Sequence, residues 1–487
     1  MNVLPRSLTL AMRATVLAVT VLLAACGSTT APTGNLTTSH NIFAVSTMRW
    51  TANQAQWLKS TITSINPQSG TVSWTHQQDL NPFHRFELPT QLNGVLYLPT
   101  DGVLNIKDTS GIPPAGSIMA LRASDGKTLW NTTVGVLPAT PIISNNVVYT
   151  IALDATKNAH KWIYALNAGD GQQLWRTDIT TISAFANYLQ LVDGVLYLRS
   201  NTFCFDSCST AYLLAVRASD GKVLWHLAFD GGISLDPVII ANGLLYMSIP
   251  KRYQADNSTI PEQLVALSLQ DGHQVWSIQG LYSQELVAQK GVLYGTLTLG
   301  DVNSTAGPAF EVALDGQSGK QLWRVPTDVT STLRLVDATS LYVSSDPRDE
   351  VHHTDQNYLM ALRLSDGSRQ WQVPIGGNFG IQAGDNKTLY GSAIIYTSNA
   401  QGQVSKTTVI AFALDANTGK NHWSMPFTGS STNPSVIGGI LAVIGNVCYL
   451  NIQNSDGSTL MALNAQTGTL LWQANISGTI SGVTATP

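Results

Sequence analysis

The sequence predicts an all-β fold, a β-propeller of four-stranded antiparallel blades. Three observations carry that expectation. A glycine followed four residues later by a tryptophan recurs nine times. A short β-branched run with a fixed tyrosine precedes eight of the nine pairs. Nothing past the N-terminal segment shows the apolar period of a helix.

The pairs are Gly70/Trp74, Gly126/Trp130, Gly171/Trp175, Gly221/Trp225, Gly272/Trp276, Gly319/Trp323, Gly367/Trp371, Gly419/Trp423 and Gly468/Trp472, and their tryptophans stand 45 to 56 residues apart. A period of that size belongs to repeat architectures, in which one unit cannot cover its own apolar face and stacks on the next. Residues 41–487 are therefore expected to form a single propeller domain. Length alone would suggest roughly two to four domains.

One unit runs from Asn93 to Trp130. Gly94-Val95-Leu96-Tyr97-Leu98 reads as a strand behind a turn, and a loop of variable length follows. Ala120-Leu121-Arg122-Ala123 and Lys127-Thr128-Leu129-Trp130 then flank an Asp125-Gly126 turn, where glycine supplies a positive φ. The tyrosine recurs as Tyr149, Tyr197, Tyr246, Tyr294, Tyr342, Tyr390 and Tyr449. A further short strand after each tryptophan makes four per unit. Radial closure of such sheets protects edges that an open stack would expose.

Residues 120–130 resemble the tryptophan-docking motif of the PQQ-type (quinoprotein-like) propeller repeats, and the resemblance covers roughly residues 60–475. It implies that the nine motif tryptophans lock neighbouring blades, each indole lying between its own glycine peptide and the next blade's alanine. The alanine recurs at Ala165, Ala215, Ala266, Ala313, Ala361, Ala413 and Ala462, with Ser64 in its place in the first copy. Eight blades are usual in that family and are favoured here, with the N-terminal hairpin as an extra or merged element. Strict counting gives nine, with the tail from Ile476 to Thr486 joining the weak first copy to close the ring.

The N-terminus is a targeting signal. Arg6 and Arg13 stand without an acid before an apolar run, residues 14–25, that is too short to span a bilayer. Leu23-Ala24-Ala25-Cys26 resembles the bacterial lipobox, which implies removal of residues 1–25, lipidation of Cys26 and a Thr/Ser/Gly/Pro-rich tether over residues 26–40. Cleavage removes two arginines and no acid, taking the net charge from −4 to −6. Neither value suits a nucleic-acid partner.

Chemistry-bearing residues are few. Cys204 and Cys208 share one loop in a chain addressed to an oxidising compartment, so a loop-stapling disulfide is expected. Cys448 sits in an apolar strand as a small hydrophobe. Asp346, Asp349, Glu350, His352, His353 and Asp355 crowd one loop; a solvated insertion is the plainer reading and an oxygen/imidazole metal site the sharper one. Quinone dehydrogenases of the resembling family hold PQQ and Ca²⁺ at the propeller axis, with a vicinal cysteine pair and a tryptophan against the quinone. This chain has no adjacent cysteines, and only Trp50, Trp57 and Trp162 lie outside the docking motif. No catalytic, cofactor-binding or metal residue is assigned, and no cofactor is expected.

Loop length is the better guide. The turns before the tryptophans are uniformly tight, whereas the segments 100–117, 154–161, 199–212, 250–263, 300–309, 344–358 and 397–408 vary widely. All join second to third strands, so they open on one face, the pattern of a binding face. The expectation is a lipid-anchored, extracytoplasmic, non-catalytic binding or scaffold propeller at the cell membrane or outer membrane. Its partner is a protein or small ligand, and membrane-protein assembly is one such role. A PQQ-dependent dehydrogenase and a glycan-, peptide- or solute-binding propeller are the alternatives.

Overall fold

The computed structural model describes residues 41–485 apart from 53–54, 81–87, 101–114, 137, 155–159, 183–184, 202–210, 230–237, 250–251, 254–258, 261, 280–281, 299–308, 328–331, 346–355, 385–386, 399–403, 429–436 and 455–456. Nine four-stranded antiparallel sheets follow one another along the described chain, with one additional two-stranded pair. The all-β propeller is thus observed, and the strict repeat count of nine, not the family's eight, is the number of blades.

Eight blades are continuous in sequence. The second blade spans Thr90–Leu92, Val95–Thr100, Gly116–Arg122 and Thr128–Gly135, and the ninth ends in Leu470–Ile476. The first blade is composite: Ile42–Ala52, Ala55–Ile65 and Val72–Leu80 are completed by Thr479–Ala485, which pairs antiparallel along Ile42–Ala52. The tail therefore closes the ring as the repeat pattern implied. First strands of successive blades contact one another around the axis from the fifth blade to this closing strand.

Local sequence explains each element. First and second strands join through two-residue turns such as Asn93-Gly94, with φ of 50° and 75°, a conformation asparagine and glycine tolerate best. Second and third strands are buried on both faces because a neighbouring blade covers each; Val95–Thr100 and Gly116–Arg122 show near-continuous burial. Fourth strands are outermost and alternate, as in Gln173–Asp178. In every blade a β-bulge precedes the tryptophan. In the second blade Ala120 faces Trp130 but Leu121 faces Thr128, leaving Leu129 as the extra residue. All nine bulged residues are exposed, and six of them, Leu129, Leu174, Leu224, Val275, Leu322 and Leu471, are large and apolar.

Candidate functional site

The nine tryptophans form one circuit of contacts. Each indole Nε1 donates to a backbone carbonyl of the following blade, from Trp74 to Ala123 at 3.0 Å round to Trp472, which reaches Pro67 of the first blade at 2.7 Å. The intervening bonds, from Trp130, Trp175, Trp225, Trp276, Trp323, Trp371 and Trp423, measure 2.8–3.1 Å. Beside each indole lies the aromatic ring of its own second strand, Phe43 in the first blade and tyrosine in the rest, with centroids 5.7–6.5 Å apart and tilted planes.

The resemblance placed the glycine and alanine the other way round. The glycine against each indole belongs to the next blade, Gly171 against Trp130 for example, while the motif alanine opposite it, Ala120, belongs to its own. Each indole face thus meets the glycine of the neighbouring blade. In the first blade Ser64 fills the alanine position and accepts a hydrogen bond from Asn41 Nδ2 at 2.8 Å.

The docking tryptophans are thus structural neighbours, not a pocket, and other predicted residues fall elsewhere. Cys26, Cys204, Cys208 and the charged loop residues Asp346, Asp349, Glu350, His352, His353 and Asp355 lie outside the described residues. Cys448 is fully buried, and burial pushes its thiol up to about 12. Among the described residues no three His, Cys, Asp or Glu side chains come together as a metal site. No two cysteines of the sequence are adjacent.

Aligning the blades by register exposes a feature that reading along the sequence missed. Two residues past the tyrosine, the second strand carries Arg199, Ser248, Thr296, Ser344, Ser392 and Asn451 in the fourth to ninth blades, all buried. The first three blades have Val45, Pro99 and Ile151 there. Opposite this position, on the third strand, eight blades place an aliphatic residue and the sixth places Glu311, which is 0% exposed. Thr296 Oγ1 approaches both of its carboxylate oxygens, at 2.9 and 3.1 Å. In the seventh blade Arg334, on a first-strand bulge, donates from Nε to Ser344 Oγ at 2.7 Å. A buried carboxylate is costly unless hydrogen-bonded, so Glu311 marks the sixth blade as chemically distinct. These side chains sit just below the second-to-third connections. On the other side of the sixth blade, a crevice of about 240 Å³ is walled by Ile278, Leu297, Phe310, Val312 and Leu314, with the Arg324 guanidinium 4.3 Å from the Phe310 ring centre.

Known proteins match this architecture. Tetrathionate hydrolase of Acidithiobacillus ferrooxidans is 25% identical over 318 residues, 60% of this chain and 59% of that one. Outer membrane protein assembly factor BamB of Legionella pneumophila is 29% identical over 185 residues, 36% of this chain and 40% of its own length. The chain thus spans between two fifths and three fifths of these relatives. The crystal structure of BamB from Moraxella catarrhalis aligns over 76% of this chain and 99% of that one, at 16% identity and a TM-score of 0.39. The profile of the PQQ-like family described as outer membrane protein assembly factor BamB matches residues 58–178, 159–412 and 405–486. Repeat, blade and profile agree over nearly the whole propeller, and the chain belongs to that family.

Proposed function

We propose that this chain is a lipid-anchored, non-catalytic propeller of the cell envelope that binds a protein partner through its long-loop face, in the assembly of membrane proteins. The family match across residues 58–486 carries the reading. The geometry supports it. Asn41 enters the first blade beside Ser64, next to the turn at residues 66–70, so a tether from Cys26 joins the propeller at the tight-turn end.

A photo-crosslinking residue at Tyr396, on the long-loop end, should capture a defined envelope protein from intact cells, whereas one at Lys127, in a tight turn, should not. Capture at neither position, or equal capture at both, counts against the reading. Cys26→Ser should release the protein from membranes; retention would refute the anchor. PQQ and Ca²⁺ added to the purified protein should produce no quinone absorbance and no dye reduction with alcohols.

Glu311 favours a second reading, because the relative from Acidithiobacillus ferrooxidans is a hydrolase and this carboxylate is buried where other blades are apolar. Were the chain to hydrolyse tetrathionate, Glu311→Gln would abolish turnover. No turnover by the unaltered protein removes this reading.

A further inference from the structure

We propose that the crevice between the fifth and sixth blades is a binding site for a small apolar carboxylate, of the size of a medium-chain fatty acid. The site is separate from the long-loop face and stands whatever partner that face takes.

The third and sixth blades carry the same pair of side chains. In the third, Arg176 stacks on Trp162, and in the sixth, Arg324 stacks on Phe310, each at 4.3 Å. The register is identical, with each arginine just past its docking tryptophan and each ring on the facing strand. The surroundings differ at three matching positions. Opposite the arginine stands Tyr164 in the third blade, its hydroxyl beside the Arg176 guanidinium, but Val312 in the sixth. Opposite the ring stands Asp178 in the third blade but Pro326 in the sixth. From the preceding blade, Thr132 Oγ1 donates to the Gly171 carbonyl at 2.8 Å, whereas its counterpart beside Gly319 is Ile278. Bulk, carboxylate and hydroxyl are thus all withdrawn from the sixth blade.

What remains is the crevice of about 240 Å³. Its deepest wall is Leu297, Val312 and Leu314, all buried, and Ile278 and Phe310 are partly buried beside them. The polar side chains that line it are Gln321 and Arg324, which the bulge at Leu322 brings to one face of the strand. Both are exposed, and among the described residues neither side chain has a hydrogen-bond or ion-pair partner. Stacking occupies one face of the Arg324 guanidinium and leaves its in-plane N–H groups free to grip a carboxylate in two places. A planar cationic fork beside an apolar wall selects an anion with an apolar body. Volume sets the size of that body. A cavity of about 150 Å³ lined by Leu, Ile and Phe holds benzene, so 240 Å³ suits a chain of roughly eight carbons. A bare inorganic anion would leave the apolar wall unused.

The test titrates purified full-length protein with octanoate, octanol and acetate. Octanoate should bind once per chain with a Kd below about 1 mM. Octanol lacks the charge and acetate the chain, and each should bind at least about tenfold more weakly. Arg324→Gln should bring octanoate down to the affinity of octanol with an unchanged Tm, because the side chain is exposed. Arg324→Lys should keep part of the preference, since it retains the charge and loses the fork. Val312→Tyr, which installs the third blade's side chain, should abolish binding of octanoate and octanol alike. If that variant fails to fold, Arg324→Gln decides alone. No saturable octanoate binding, equal binding of octanol, an unaltered preference in Arg324→Gln, or octanoate binding by folded Val312→Tyr overturns the proposal. So does tighter binding of a peptide with a free C-terminal leucine, which would make the occupant the chain end of a partner protein.

Discussion

The contact that most constrains this protein is an indole lying on a glycine. A Cβ on Gly171 would stand 2.5 Å from Thr132 Oγ1 and 2.6 Å from the Trp130 ring, and the residue has φ of +73°. Gly194 has nearly the same φ, +74°, with nothing within 4 Å of its Cβ position. Alanine at either site meets the left-handed penalty of about 1–2 kcal/mol. Only at Gly171 must the neighbouring blade also move. Gly171→Ala should therefore lower the calorimetric Tm by several degrees more than Gly194→Ala, by roughly the cost of overpacking a core. Equal losses would mean that backbone conformation alone selects the glycine. Cys448 offers a companion measurement: with its thiol buried and pushed up to about 12, iodoacetamide at pH 8 should label it only as fast as the protein unfolds. Labelling of the folded protein would show that the strand opens locally.

At the scale of the element, the tight turns share an electrostatic device. The backbone N–H of Lys127 holds the Asp125 carboxyl below its usual value, with Arg122 assisting. Asp220 has the same arrangement with Lys222 and Arg217, and the Thr418 hydroxyl does this for Asp415. A carboxylate depressed in the folded state contributes stability that is present above its unfolded pKa, near 4, and lost as pH falls through the folded value. The Tm should therefore stay level down to about pH 4.5 and fall below about pH 4. Asp415→Asn should blunt the fall. Salt should blunt it as well, since these groups are exposed and screened. A Tm that is flat down to pH 2 would remove the turns as the acid-sensitive part. The turns and second strands were legible because glycine, asparagine and tyrosine have local reasons to stand there. The bulges were not. Leu129 and Leu322 are large and apolar beside the docking tryptophans, yet a one-residue slip in register leaves them 41% and 52% exposed. Glu311 was hidden for a related reason: one acid in a strand means little until the blades are superimposed and the matching positions prove aliphatic.

Across the whole molecule the question is what closes a ring of nine. The repeat count held the answer, but the first copy lacks the tyrosine run and borrows its inner strand from the far end of the chain. Ser481 Oγ bonds to the Val45 carbonyl across 436 residues, a pairing that no local pattern announces. Two closures operate in parallel. The inner one is the strand Thr479–Ala485, whose Ile480 and Val483 join a buried cluster with Ile42, Ala44 and Tyr449. The outer one is Trp472, which reaches Pro67 and lies on Gly70. Deleting residues 479–487 separates them, because it spares Trp472 and uncovers the edge of Ile42–Ala52 along with that cluster. An uncovered, largely apolar edge recruits another strand. The truncated protein should therefore melt several degrees lower and associate with rising concentration in light scattering, and a peptide of residues 476–487 should restore the monomer. If the truncated chain stays monomeric with an unchanged Tm, the tryptophan circuit alone closes the ring, and the C-terminal strand is dispensable to its stability.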